Sequence, residues 1–292
     1  MNKIDPMILG HNQFIGVSHL SQDAARSRVE RFSDVKKVVD TIKVCLDLDV
    51  KGMMLSTHPK ARDILEYTKI EGLSEDLNFY PLIPYAQGYV RKMNEKGVIG
   101  LLRDVLEPAS TSKKFKIMFK GGIGYLRKDF MKLLGTLLDL ELLPFKDFNV
   151  KAIFLHNVLT DLGIALQAKE QFEFYIDYIK DNYDAIPAFG TMNFAKLIKT
   201  FDEWGIEKPL IMASFNKVGF QMNPSKEECE RCLKEYNADI LAMSTLAAGY
   251  LKPKEAYEHL FSLPNIKSVV VGVSTEEHAE KTFGIIKNCF KE

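Results

Sequence analysis

Three side-chain types in this sequence sit where chemistry could be done on a small molecule. His156 closes the apolar run AIFLH (residues 152 to 156), and a neutral imidazole there can donate a hydrogen bond to a substrate carbonyl or exchange protons near pH 7. The competing role is a core histidine satisfied by a backbone carbonyl. Lys120 follows the run FKIMF and precedes Gly121 and Gly122, where a strand would leave a barrel. An amine desolvated there has a lowered pKa, which suits Schiff-base chemistry or electrostatic support of a neighbouring acid; otherwise it is a lysine snorkelling to water. The KGGIG that contains it could also present backbone N–H groups to a phosphate. Tyr85 ends NFYPLIPY, where a phenol donates a proton if a cation lowers its pKa and otherwise packs. His19 and His58 end other apolar runs, but without H-x-H spacing or a neighbouring carboxylate no metal site is expected.

Polar residues close the other apolar runs as well: Ser18, Ser56 and Thr57, Gln87, Asn157, Thr191 and Asn193, Ser214 and Asn216, Ser244 and Thr245, then Ser274 and Thr275. None of these runs ends in Asp or Glu. That argues against a glycosidase, which needs a carboxyl pair, and against a carboxylate-bound Mg²⁺ of the enolase kind.

Residues of this sort need a rim, and the elements that would build one recur along the chain. Short apolar runs alternate with amphipathic segments from end to end with no Pro/Gly/Ser-rich linker, which predicts one domain over residues 1 to 292. Most runs are continuously apolar, as a parallel strand covered on both faces requires. From GMMLSTH (52 to 58) onward they return about every 30 residues, the size of a βα unit. The expected architecture is an α/β fold, a (β/α)8 TIM barrel spanning about residues 50 to 275, with an open doubly wound sheet as its rival. There is one strand candidate too many. The segment at 6 to 19 is either a hairpin capping the barrel floor, with Gly10-His11-Asn12 as its turn, or the first barrel strand; in the second case a run between 78 and 122 lies outside the barrel. Helix starts are expected at Ser33-Asp34 and Asn223-Pro224-Ser225, and the aromatic-rich FEFYIDYIKDNYD (172 to 184) reads as a helix packed on the barrel.

Composition bounds the partners. The 292 residues carry 39 Lys+Arg against 39 Asp+Glu, so no polyanion-binding surface is indicated and nucleic acid is not an expected partner. With 46% apolar residues and no apolar stretch near 18 residues, neither bulk disorder nor a membrane span is expected. Asp5 and Pro6 interrupt any signal-peptide pattern, and the reading is cytoplasmic. Four cysteines are too sparse for a disulfide framework; Cys229 and Cys232 form a CxxC inside a charged helical segment and read as structural. The expected partner is a small-molecule substrate.

The second half of the chain resembles the aldo-keto reductase superfamily. FGTMNF (189 to 194) is similar to the GxSN-type turn ending that family's fifth strand, SFN (214 to 216) to the end of its sixth, STLAAG (244 to 249) to the SPLxxG-like turn of its seventh, and VVGVSTEEH (270 to 278) to the VxGxSxxEH-like segment of its eighth. AIFLHN resembles the fourth strand, which supplies the active-site histidine. The resemblance implies a reductase moving hydride from a nicotinamide cofactor to a carbonyl, with a Tyr as proton donor, a Lys and an Asp lowering its pKa, and a His orienting the carbonyl. His156 matches that His, and Lys120 the third-strand lysine by its strand-end position, so the two are expected within a few Å of each other. If GMMLSTH is the second strand, the family's Asp falls on Ser56 and its Tyr on Ala61; if NFYPLIPY is, Tyr85 serves as the phenol with no Asp beside it. For the cofactor the resemblance implies Thr191 and Asn193 at the carboxamide and Ser244, Leu246, Ser274 and Thr275 at the phosphate-contacting turns, with Asn216 and Gly272 as further cofactor-binding residues. Glu276 and Glu277 stand where basic residues would grip a 2′-phosphate, so NAD is as well matched as NADP. Three function classes remain open: a divergent reductase, weak on ordinary aldehydes; a cofactor-free Schiff-base aldolase or lyase using Lys120, or His156 as base; and a ligand-binding barrel without catalysis.

Overall fold

The structure, a computed structural model, describes residues 4–16, 26, 29–85 and 127–290. Eight parallel strands close into a barrel in chain order: β1 (Met7–Leu9), β2 (Gly52–Ser56), β3 (Asn78–Ile83), β4 (Ala152–Leu155), β5 (Ile186–Gly190), β6 (Leu210–Ser214), β7 (Asp239–Met243) and β8 (Ile266–Val271). β1 pairs with β2 through Ile8 and Gly52 and with β8 through Ile8 and Val270. The barrel therefore begins at Met7, which corrects the expectation of a start near residue 50 and removes the hairpin. At three residues β1 carries too little pattern to be read alone, and the following Gly10-His11-Asn12 looks like a turn. In fact Gly10 N donates to the Val271 carbonyl at 2.8 Å, extending the ladder one residue further. β3 pairs directly with β4, Leu82 opposite Phe154, so the eight places are filled without the run at 115 to 122, which lies outside the described residues.

The continuous apolarity of the strands has the expected cause. Alternate residues face inward, where Ile8, Met54, Tyr80, Phe154, Met212 and Leu241 form one buried cluster, and outward, where Met53, Phe79, Ile153, Phe189 and Ile211 join the helices in a larger one. Helices α1 (Val35–Asp47), α2 (Pro59–Ile70), α3 (Arg127–Leu142), α4 (Asn157–Ala165), α5 (Lys169–Asn182), α6 (Phe194–Trp204), α7 (Lys226–Glu235), α8 (Pro253–Phe261) and α9 (Glu276–Cys289) cover that outer face. α6 shows why: Phe194, Leu197, Ile198 and Phe201 fall on one buried stripe, and Gly205, at φ 74°, ends the helix in the left-handed region. Phe201 packs edge-on against Phe172 and Phe189; truncation to Ala would cost about 3–5 kcal/mol. The caps expected from sequence form, Asp34 accepting from Lys36 N and Ser225 from Glu228 N. Cys229 and Cys232 lie fully buried on the inner side of α7. Burial pushes the Cys229 thiol up to about 11, which keeps it a protonated, inert core residue.

The barrel floor, at the strands' N-terminal ends, is closed by a polar network. Asp5 accepts from Asn78 Nδ2 at 2.9 Å and from the Tyr80 hydroxyl at 2.5 Å, Asn149 Nδ2 donates to Asn78 Oδ1 at 2.6 Å, and Ser268 Oγ donates to the Asp5 carbonyl at 2.6 Å.

Candidate functional site at the barrel mouth

At the other end the alternation that points Met54, Phe154 and Met212 inward carries on to Ser56, His156 and Ser214. Ser56 and Ser214 are each 4% exposed, and neither hydroxyl has a hydrogen-bond partner. Two orphaned buried hydroxyls at one end of a barrel are unusual, since a buried polar group left unpaired costs about 1–3 kcal/mol. β2 and β6 are opposite walls of the eight-stranded barrel, so the two face each other across its axis.

Three imidazoles stand at this end, one after each of β1, β2 and β4. His11 is buried, and that burial, helped by His58 and His156, pushes its pKa down to about 4. His156 is likewise pushed below the ordinary histidine value by burial, while Asp161 pulls it back up. Both His58 and His156 cap the helix that follows them, Nδ1 accepting from Lys60 N at 3.1 Å and from Val158 N at 3.3 Å. A ring nitrogen that accepts carries no proton, so these contacts assign the neutral proton of each ring to Nε2. The His58 ring meets the Tyr85 ring edge-on with centroids 4.9 Å apart. Tyr85 and His156 leave adjacent strands, and His156 N donates to the Ile83 carbonyl at 2.7 Å. Among the described residues no three His, Cys, Asp or Glu side chains are placed to hold a metal ion.

Carboxylates reach this rim from helices, not strands. Asp161 on α4 accepts from Thr191 Oγ1 at 2.5 Å and Met192 N at 3.0 Å, tying the β5 turn to the helix that His156 caps. Glu141 on α3 accepts a hydrogen bond from Thr57 Oγ1, which in turn accepts from Tyr85 N at 3.1 Å. A search confined to strand ends misses both, and it misses His11 because β1 is so short. The one signal available for Asp161 is its place one turn into the helix that His156 starts.

Other sequence-based candidates are distributed as follows. Lys120, Ser18, His19 and Gln87 lie outside the described residues. With Gly52–Ser56 as β2 and Asn78–Ile83 as β3, the family's Asp position falls on Ser56 and its Tyr position on the buried Ala61. The strand paired with β4 on that side is then β3, which is followed by Pro84 and Tyr85; this corrects the placement of Lys120 on the strand preceding His156. Thr191 is wholly buried with its hydroxyl on Asp161, and Asn193 follows it, its N–H on Thr191 Oγ1 at 2.9 Å. Asn216 closes its own loop, Nδ2 donating to the Phe220 carbonyl and Oδ1 accepting from Phe220 N, both at 2.8 Å. Ser244, at φ 55°, donates to Gln221 Oε1 at 3.1 Å, and Leu246 packs on the core. Thr275 caps α9 by accepting from His278 N at 3.1 Å, with Ser274 just before it.

These contacts bear on a nicotinamide dinucleotide. The space that a Cβ would fill at Gly272 is taken by Gln13, whose Oε1 lies 2.5 Å from that position and whose amide donates to the Val273 carbonyl. The first turn of α9 presents Glu276 and Glu277, which already answer the helix dipole and repel a phosphate. At the ends of β5 to β8 the residues that the resemblance implies for the cofactor are thus bonded within the chain, and Glu276 and Glu277 oppose the 2′-phosphate that distinguishes NADP from NAD.

No protein-family model matches the chain, and no curated protein sequence matches it. Among solved structures, a Pseudomonas aeruginosa protein described as "the putative aldo-keto reductase" aligns over 98% of this chain and 91% of its own length at 11% identity, with a TM-score of 0.60. A second structure, described in the same words and from the same organism, aligns over 97% and 90% at 12% identity, with a TM-score of 0.59. The likeness is one of fold: a closed (β/α)8 barrel of the aldo-keto reductase type.

Proposed function

We propose that the barrel mouth binds a small carbonyl compound and that His156 polarises its oxygen, so that a proton is exchanged at the adjacent carbon. The observation that carries this is the neutral His156 imidazole, fixed by its helix-capping contact with its proton on Nε2. A neutral ring donor stabilises an oxygen that gains negative charge without itself adding a charge to a buried site. In the exchange the α C–H bond breaks, its electron pair moves into the carbon–carbon bond as the C=O electrons move to oxygen, and Nε2–H bonds the enolate. The proton needs a carboxylate. The carboxylate whose charge acts on His156 is Asp161, which also accepts from Thr191 and Met192; Asp161 takes the base's part and Tyr85 is the second donor toward the oxygen.

A second reading, hydride transfer from NAD or NADP to the same carbonyl, is favoured by the fold. NMR of hydroxyacetone in D₂O with the purified chain separates the two. Deuterium entering the α-carbon without cofactor, and at least about 100-fold more slowly with His156→Gln, supports proton exchange. No exchange, with turnover only on adding NADH or NADPH, replaces it with the reductase. Borohydride trapping that is lost in Lys120→Met would instead support the Schiff-base route.

A further inference from the structure

We infer that the cleft between α3, α4 and α5, on the outer side of the barrel, is a binding site for an uncharged aliphatic molecule, separate from the barrel mouth.

The cavity holds about 550 Å³, within the range of about 300–1,000 Å³ that small-molecule sites occupy. Leu134, Leu137 and Leu138 of α3 form one wall, and Val158, Leu159 and Leu162 of α4 the other. Its base is Ile83 of β3 with Phe172 and Tyr175 of α5, all three buried. Toward solvent, Val158, Leu159 and Leu162 are exposed, as is Leu166 just past α4, at 70%. Four of the nine exposed large apolar side chains among the described residues therefore line this one opening. Clustered exposure of that kind marks a binding surface, whereas aliphatics exposed singly do not.

The packing on either side of the cleft is close. Both wall helices rest on α5 through a glycine: a Cβ at Gly135 would lie 2.7 Å from the Tyr178 ring, and one at Gly163 would lie 2.7 Å from the Phe172 ring. Asp139 of α3 adds a polar tie, accepting from the Tyr178 hydroxyl at 2.9 Å and the Tyr183 hydroxyl at 2.8 Å. The space between α3 and α4 is thus not the slack of a loose contact, since each helix is seated firmly on the third.

The lining selects the occupant. Its polar side chains among the described residues are Glu141, Gln171 and Tyr175, with no Lys or Arg. Glu141 already accepts from Thr57 Oγ1, and the Tyr175 hydroxyl donates to the Ile153 carbonyl at 2.6 Å. An anion in the cleft would find no counter-charge and would meet the Glu141 carboxylate instead. An extended peptide would bring N–H and C=O groups that this lining cannot pair. A hydrocarbon chain needs only apolar area, and it covers the exposed leucines of α4 as it binds.

The test is the fluorescence of N-phenylnaphthylamine titrated with the intact chain, then its displacement by octanol, octanoate and hydroxyacetone at pH 8. The dye should bind wild type, and octanol should displace it at least about 5-fold more effectively than octanoate. Hydroxyacetone should leave it in place. Leu162→Glu puts a charge on a solvent-facing wall position, and Leu137→Trp narrows the cleft from the other wall; each should weaken dye and octanol by at least about 10-fold. Ile70→Glu, which changes an exposed aliphatic outside the cleft, should bind like wild type. The inference is overturned if wild type binds no dye, which would mean that other residues of the chain or a second copy fill the cleft. It is equally overturned if octanoate matches octanol, if both cleft variants bind like wild type, or if Ile70→Glu loses as much as they do. Displacement by hydroxyacetone would put the dye in the barrel mouth and remove this site, whereas dye binding in a chain that shows no deuterium exchange leaves it standing without the proposed reaction.

Discussion

The two ends of the barrel use the same residue types to opposite effect. At the floor, Ser268 is wholly buried and bonded to the Asp5 carbonyl at 2.6 Å, and Tyr80 and Asn78 meet the Asp5 carboxylate. At the mouth, Ser56 and Ser214 are nearly as buried and bonded to nothing, and three histidines crowd a space where burial holds two of them neutral. The floor joins β1, β3 and β8 and fixes the short first strand in place. The mouth holds unpaired polar groups that lower stability, which is where a barrel is expected to carry its chemistry. A polar group that stabilises the floor should therefore have little influence on binding, and one at the mouth should influence binding at little or no expense to folding.

The sharpest contrast is His156→Gln. It should cut deuterium exchange by about 10²- to 10⁴-fold, a loss of roughly 3–5 kcal/mol in transition-state stabilisation, while stability falls by no more than the lost cap on α4, about 1 kcal/mol by urea denaturation. A variant that unfolds early would show the ring to be a core histidine and would erase the difference between the two ends.

Asp5→Ala tests the floor. It leaves the Tyr80 hydroxyl and the Asn78 amide without their charged partner, and should cost about 3 kcal/mol by urea denaturation. Ligand binding at the far end should not change. A loss of binding without loss of stability would mean that the floor communicates with the site.

Acid should weaken the mouth first. Burial holds His11 at about 4 against its ordinary 6.5, so the folded state prefers the neutral ring more than the unfolded chain does. That preference costs nothing above pH 6.5 and destabilises the fold as pH falls toward 4. Between pH 7 and pH 5 the loss is about 2 kcal/mol. Denaturant melts at the two pH values, repeated with His11→Gln, measure it; an unchanged difference in the variant would move the effect to other groups.

Why the barrel could be read from sequence and much of its mouth could not follows from how each is encoded. Continuous apolar runs such as LIMAS and DILAM record burial on both faces, and that is a local property. β1 failed that test because three residues, Met7 to Leu9, hold no period. His156 was found because it ends a strand. Asp161 and Glu141 were not, because they arrive from helices and their roles depend on which loops the fold brings beside them. Ser56 and Ser214 were visible as strand ends, but their lack of partners is a fact of three-dimensional packing that no spacing records.

The smallest effect is also the one that separates the two ends by stability alone. Replacing a buried, unpaired hydroxyl by hydrogen removes a desolvated polar group and keeps the methylene in place, so Ser56→Ala and Ser214→Ala should each stabilise the ligand-free protein by roughly 1 kcal/mol. In a chain of this size that is a rise of about 2 °C in Tm. Ser268→Ala, at the floor, should instead destabilise by a similar amount, because it strands the Asp5 carbonyl. The three variants differ only in which end of one barrel they touch. If all three destabilise alike, the mouth serines are bonded to ordered water as firmly as Ser268 is to the chain, and the two ends of the barrel are built on the same rule.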